Sequence, residues 1–180
     1  MGRTYFFIFD LDNTLVYTDS ANNMAYKEAI QVVMNINCIT SDIKRITRIE
    51  LPNMLPECSQ EQLSKIILYK EKVYPNYYDK TTLNTNLLKL LVLLHTNRCK
   101  TILLTESRRN RAIALCEYHE LMKYFSQCFF LENYNGKSKY CFLSELGINA
   151  TDCVLFENEE KHIQIDSIKI PESNIIQIKI

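Results

Sequence analysis

Five short, almost wholly apolar stretches constrain this chain most: residues 5–9, 101–104, 128–131, 153–156 and 175–180. Each is too short for a helix and is rich in β-branched or aromatic residues. Runs apolar on both faces suit strands covered on both sides, as in a parallel sheet. Between them lie stretches with helical spacing at 87–94, 109–118, 138–146 (closed by Gly147) and 161–168. Strand alternating with helix predicts an α/β fold, a doubly wound parallel sheet.

Residues 18–82 break that rhythm. Met24, Ala25, Ala29, Ile30, Val33 and Met34 fall at helical spacing, and Ile43, Ile46 and Ile49 recur every third residue. Ser59 and Gln62 form a capping-box signature ahead of Leu63, Ile66, Ile67 and Val73. Pro52, Pro56 and Pro75 punctuate these pieces. The expected organisation is a core built from 1–17 and 83–180, with a small helical domain, 18–82, inserted after the first strand.

Bulk properties remove several classes. The chain has 180 residues, 47% hydrophobic and 23% charged, as an ordinary globular domain does. Lys+Arg and Asp+Glu are equal at 21 each, so no broad field draws the chain to nucleic acid or an anionic membrane. Glycine occurs only at 2, 136 and 147, too few for a P-loop or a dinucleotide-binding turn. The seven cysteines include no C-x-x-C pair and read as reduced thiols used as small core residues. The run at 5–9 is too short for a signal peptide or membrane span, and Phe6 stands where N-myristoylation after Gly2 needs Ser or Thr. A cytoplasmic protein with no nucleic-acid or membrane partner is expected.

The chemistry-bearing residues stand where apolar runs end. Asp10 and Asp12 follow the first run, and in α/β sheets ligands sit at the carboxyl ends of strands. Of two such acids, one can attack phosphorus and the other can protonate a leaving oxygen and then activate water. Thr105 ends the second run and can bond a phosphate oxygen or cap the next helix; Ser107 is a further cap candidate. Gly136-Lys137-Ser138-Lys139 precedes a helix, and a lysine there can offset clustered carboxylates. Lys137 and Lys139 both qualify, and the sequence does not separate them. Glu157 and Asn158 end the fourth run and offer oxygen ligands, or else begin a solvated acidic stretch through Glu160. Arg108, Arg109 and Arg111 read as a solvated helix face, with a meeting of an anion as the alternative, and Arg45 and Arg48 as surface residues, with a hold on an anionic substrate as the alternative. The aromatic stretch 74–78 reads as internal packing, with a substrate-lining role as the alternative.

The string Phe9-Asp10-Leu11-Asp12-Asn13-Thr14-Leu15 resembles the D-x-D-x-T motif of haloacid-dehalogenase-like hydrolases, and the later signals follow in that family's order. The resemblance covers nearly the whole chain. It implies a Rossmann-like core with a helical cap, Mg2+ as cofactor, and a small phosphorylated metabolite as substrate. Asp10 would be nucleophile and metal ligand, and Asp12 the general acid/base lending its carbonyl to the metal. Thr105 and Lys137 would meet the phosphate, and Glu157 with Asn158 would complete the metal site. An Asp at position 12 selects phosphoryl transfer over carbon–halogen cleavage. The sequence departs from the pattern at Asn158, where an Asp is common. The expected activity is Mg2+-dependent hydrolysis of phosphate monoesters. A phosphomutase, or a weakened relative that binds a phosphorylated ligand or a protein, is the alternative.

Overall fold

The computed structural model describes residues 4–36, 45–159 and 170–179. In chain order the elements are β1 (Phe6–Phe9), β2 (Val16–Tyr17), α1 (Asp19–Met34), α2 (Leu51–Met54), α3 (Gln60–Val73), β3 (Thr82–Leu83), α4 (Thr85–Thr96), β4 (Lys100–Leu104), α5 (Arg109–Tyr118), β5 (Gln127–Phe129), α6 (Cys141–Glu145), β6 (Cys153–Glu157) and β7 (Ile175–Gln177). The helix expected at 161–168 lies outside the described residues. The chain divides into two units, Met1–Val16 with Leu83–Ile180, and Tyr17–Thr82.

The first unit is an α/β domain on a five-stranded sheet of order β5-β4-β1-β6-β7. Every pairing is parallel. β1 lies between β4 and β6, with Ile8 beside Ile102 and Leu155, and Phe9 beside Leu103 and Phe156. Ile8 and Phe9 are fully buried, which is why this strand is apolar at every position rather than alternating. The Phe9 and Phe156 rings stack at 4.5 Å. Ile102, Leu104, Tyr134, Tyr140, Leu143, Ile148 and Leu155 pack with Ile8 into one core. Fully burying a side chain of this size contributes about 1.5–3 kcal/mol.

α4 starts where Asn84 accepts the Leu87 N–H at 3.2 Å, and it buries Leu87, Leu91 and Leu94. α5 buries Ala112, Leu115 and Cys116.

Several elements are shorter than their sequence patterns, among them β7, which ends at Gln177. β5 ends at Phe129 because Phe130 donates to the Asn133 side chain at 2.8 Å and a 3-10 turn, Leu131–Asn133, takes over. The pattern over 138–146 is α-helical only across Cys141–Glu145, because the chain is still turning before it. Asn135 (φ 50°) and Gly136 (φ 79°) both adopt left-handed backbone there.

In the second unit α1 and α3 carry most of the buried surface. α3 begins with the capping box expected at Ser59: Ser59 Oγ accepts from the Gln62 N–H at 3.2 Å, and Gln62 Oε1 accepts the Ser59 N–H at 2.9 Å. Tyr26, Ala29, Ile30, Ile46, Leu51, Leu63 and Ile66 form the core. The stretch around Ile46 is not helical. It is pinned instead by Asn22 Nδ2 donating to the Ile46 carbonyl and by the Ile46 N–H donating to Asn23 Oδ1, both at 2.8 Å. Ile43, the first residue of the every-third-residue pattern, lies outside the described residues; Ile46 and Ile49 are not helical, and Ile49 is 80% exposed. Arg45 pairs with Asp19 at 2.6 Å and Arg48 with Glu71 at 3.1 Å, so both guanidiniums hold carboxylates within their own unit. In the aromatic stretch, Tyr74 is buried with Val73, Ala21 and Ala25, and Tyr77 donates to Glu28 at 2.7 Å.

Candidate active site

Asp10, Thr105 and Glu157 come from adjacent strands. β1 is followed directly by Asp10, β4 by Thr105, and β6 ends in Glu157. With β4, β1 and β6 side by side and parallel, all three stand at the same, carboxyl-terminal edge. The ladder continues one residue beyond β1, the Asp10 N–H donating to the Phe156 carbonyl at 3.1 Å, so the Asp10 backbone is held as rigidly as the strand.

Beyond it the chain folds around one acceptor. The Leu11 carbonyl takes N–H bonds from Thr14, Leu15 and Val16 at 3.3, 3.1 and 3.0 Å. Asn13 sits inside this turn at φ 58°, a conformation asparagine tolerates better than most residues.

A buried lysine joins two of the acids. Lys139, 1% exposed, places Nζ 2.8 Å from Asp10 Oδ1 and 2.6 Å from Glu157 Oε2. Glu157 is fully buried. Its Oε2 also accepts the Tyr140 hydroxyl, and its Oε1 accepts the N–H groups of Asn158 at 2.9 Å and Glu159 at 3.0 Å. Burial pushes the Asp10 carboxyl from its ordinary 3.8 up to about 7, with the Glu157 charge adding to it and Lys139 opposing. Burial alone would lower the Lys139 pKa, but Asp10 and Glu157 outweigh it and hold the ammonium above its ordinary range.

Asp12 is held differently. Arg111 forms an ion pair with its Oδ1 and lies 3.4 Å from its Oδ2, and Ser107 Oγ donates to Oδ2. Arg111 also donates to Ser107 Oγ at 2.6 Å. Thr105 Oγ1 accepts the Ser107 N–H at 3.1 Å, and the Thr105 carbonyl accepts the Tyr134 hydroxyl at 2.8 Å. Thr105 itself is buried.

Of the expected residues, the structure gathers Asp10, Asp12, Thr105, Glu157 and Asn158 at this edge, and it separates the two lysines. Lys137 is not part of the cluster. Its side chain, 57% exposed, pairs with Glu145 on the surface, and Lys139 takes the buried position. Asn135 and Gly136, both left-handed, turn the chain just before the two lysines.

Arg111 is a second correction. The arginines read as a solvated face, yet Arg111 pairs with Asp12, while Arg109 lies over the Phe130 ring at 4.7 Å. Ser107 is not the helix cap, a position held by Arg108 without a side-chain bond. Nothing in the sequence marks Tyr140 or Tyr134 as a site residue. Both sit among apolar residues, and only their contacts reveal the polar ends.

The donors available to Mg2+ are few. Among the described residues no three His, Cys, Asp or Glu side chains are grouped to hold a metal. Both Glu157 oxygens are already engaged by protein donors, one Asp10 oxygen is on Lys139, and Asn158 is neutral. Mg2+ demands hard oxygen ligands in near-octahedral order. This set does not fit a tightly held Mg2+.

A parallel sheet with acids, a lysine and hydroxyls converging on one strand edge defines a hydrolase-type α/β domain. The family model of haloacid dehalogenase-like hydrolases matches residues 7–165, and the chain belongs to that family. No curated protein matches the chain in sequence. Among solved structures it is similar to a haloacid dehalogenase-like family hydrolase from Streptococcus pneumoniae (16% identity, 90% of this chain and 79% of that one, TM-score 0.70). It is also similar to a subfamily IA hydrolase of the superfamily from Geobacter sulfurreducens (14%, 90% and 81%, 0.66). A third is a beta-phosphoglucomutase from Clostridium difficile (18%, 88% and 77%, 0.65). At these identities the likeness is one of fold. Among the described residues no helix is long and apolar enough to cross a membrane.

Proposed function

We propose that this chain is a phosphoryl-transfer enzyme that hydrolyses small phosphate monoesters through an aspartyl-phosphate on Asp10. The observation that carries this reading is the buried Asp10–Lys139 pair at 2.8 Å with a second acid, Asp12, two residues on. The Asp10 oxygen not bonded to Lys139 attacks phosphorus, and the P–O bond to the leaving group breaks. Asp12 delivers a proton to the departing oxygen. A water molecule then gives its proton to Asp12 and attacks the aspartyl-phosphate, releasing inorganic phosphate and restoring the Asp10 carboxylate. Lys139 offsets charge at the attacked group, and the Thr105 hydroxyl is available to a phosphate oxygen. Family membership supports the reading, and the insertion Tyr17–Thr82 fills the role of a cap that selects the substrate. The wide spacing of the seven cysteines, with no C-x-x-C pair, supports a cytoplasmic setting. The same residues would serve a phosphomutase, with a sugar hydroxyl replacing water.

A second reading has its own support. Arg111 and Ser107 clamp the Asp12 carboxylate, and a clamped acid with a neutral Asn158 nearby suits a protein that binds a phosphorylated ligand and turns it over slowly.

Phosphate release from an aryl phosphate, wild type against Asp10→Asn, tests both. Release that vanishes in Asp10→Asn, with a phosphate mass increment trapped on the wild type, supports the enzyme. Inorganic phosphate binding without release in either protein supports the binder and defeats the first reading.

A further inference from the structure

We propose that the Asn158 carboxamide plugs the cation position of this site from within, so that Mg2+ binds weakly and only after the amide turns over. The inference goes beyond the phosphoryl-transfer reading and does not depend on it. Three acceptors converge on one end of the Asn158 side chain: Glu157 Oε1 at 3.2 Å, the Asp12 carbonyl at 3.1 Å and Thr14 Oγ1 at 2.9 Å. With the amide nitrogen at that end, its two N–H groups face all three acceptors at hydrogen-bonding distance, one of them shared. With the oxygen there it accepts only the Thr14 hydroxyl, and it stands against a carboxylate and a carbonyl oxygen with no proton between them. The hydrogen-bonding chemistry therefore selects the nitrogen.

The consequence for a cation follows from the same distances. Oxygens about 3 Å apart are what adjacent ligands of an octahedral Mg2+ would present, at roughly 2.1 Å each from the metal. The Asp12 carbonyl and the end of Asn158 have that spacing, but Asn158 meets the carbonyl with an N–H donor. A cation has to break the amide's bonds and rotate the group before it gains a single neutral ligand. An aspartate at 158 has no donor to offer, adds a negative charge, and leaves the Asp12 carbonyl facing a carboxylate that only a cation can reconcile. Asn158 is thus a self-satisfying substitute for a ligand-plus-metal pair, and Lys139 already balances part of the charge on Asp10 and Glu157.

The test uses Mg2+ alone and the whole chain. Calorimetric titration with Mg2+ of wild type and Asn158→Asp is expected to give an affinity higher in the variant by on the order of 100-fold, for the hydrogen bonds and rotation that the amide no longer imposes. Equal affinities, or a wild type that binds more tightly, overturn the proposal. Should Asn158→Asp fail to fold, side-chain 15N–1H spectra of the wild type decide the matter, with Asn158→Ala assigning the signal. The Asn158 amide protons should exchange slowly without Mg2+ and lose that protection only at high Mg2+. Rapid exchange in metal-free protein overturns it. Neither readout involves turnover, so failure of the phosphatase reading leaves this result standing.

Discussion

Lys139 and Asp10 meet at 2.8 Å across 129 residues of sequence, both buried, and Glu157 closes the group from the other side of the ammonium. Removing Lys139 would leave two carboxylates facing each other in a site from which water is largely excluded. Taking one partner from a buried ion pair costs about 3–5 kcal/mol. Lys139→Met should therefore lower the urea midpoint by that equivalent and reduce phosphate release at least about a hundredfold. Lys137→Met should leave both the midpoint and the rate at wild-type values. Urea unfolding followed by circular dichroism, with the aryl phosphate assay, checks the contrast.

The raised Asp10 carboxyl predicts a pH dependence with a definite sign. Its pKa climbs from 3.8 to about 7 on folding, so between these values the folded chain keeps a proton that the unfolded chain has lost. This group's contribution to stability is full below about pH 4 and is lost as pH rises through 7. A nucleophile must be ionised, so kcat/KM should rise with pH along a limb near 7. Lys139 opposes the shift, so Lys139→Met should move the limb upward. Carboxyl 13C titration of Asp10 in the free protein measures the same value without turnover.

Arg111 holds Asp12 from α5 and also donates to Ser107. It is a positioning residue for the general acid. Arg111→Met should lower kcat by roughly tenfold to a hundredfold with KM little changed, and should displace the pH profile, because the acid loses its fixed orientation. A fall in stability with an unchanged profile would mark Arg111 as structural only.

Tyr140 donates its hydroxyl to Glu157 inside the protein. Tyr140→Phe leaves the ring in the core and removes one donor from a buried carboxylate, at a cost of about 1–3 kcal/mol. Thermal unfolding of the variant should show that loss, and restoring Tyr should recover it.

Ser59→Ala tests the inserted unit alone. It removes the acceptor for the Gln62 N–H at the start of α3 and should cost about 1 kcal/mol. Hydrogen exchange should rise in Gln60–Val73 and not in the sheet.

Much of this was legible in the sequence wherever the signal was periodic. The central strands are apolar at every position because both faces are covered, so their runs stand out as they do in few other folds. The limits of α5 follow from the helical spacing of Ala112, Leu115 and Cys116, and the start of α3 from Ser59 and Gln62. What could not be read depended on direction rather than spacing. Lys137 and Lys139 differ only in which way a turn with two left-handed residues points them. Arg111 looks like one more exposed arginine until α5 is laid beside Asp12. Tyr140 looks like core, and its ring is core; only its hydroxyl belongs to the site. The even spacing of Ile46 and Ile49 suggested a helix where two asparagines hold a non-helical segment instead.

The position of β1 in the sheet has a consequence for biosynthesis. Its two neighbours, β4 and β6, are made later, and β6 leaves the ribosome last of the three. Until Cys153–Glu157 emerges, a nascent chain carries β1 with one edge open, and Asp10 lacks the Glu157 side of its charge balance. Such an edge is a template for pairing with other chains. Every product of premature termination before that strand should therefore behave as chaperone cargo, not as a partly active protein, and the synthesis of β6 decides whether the first acid of the site is ever used.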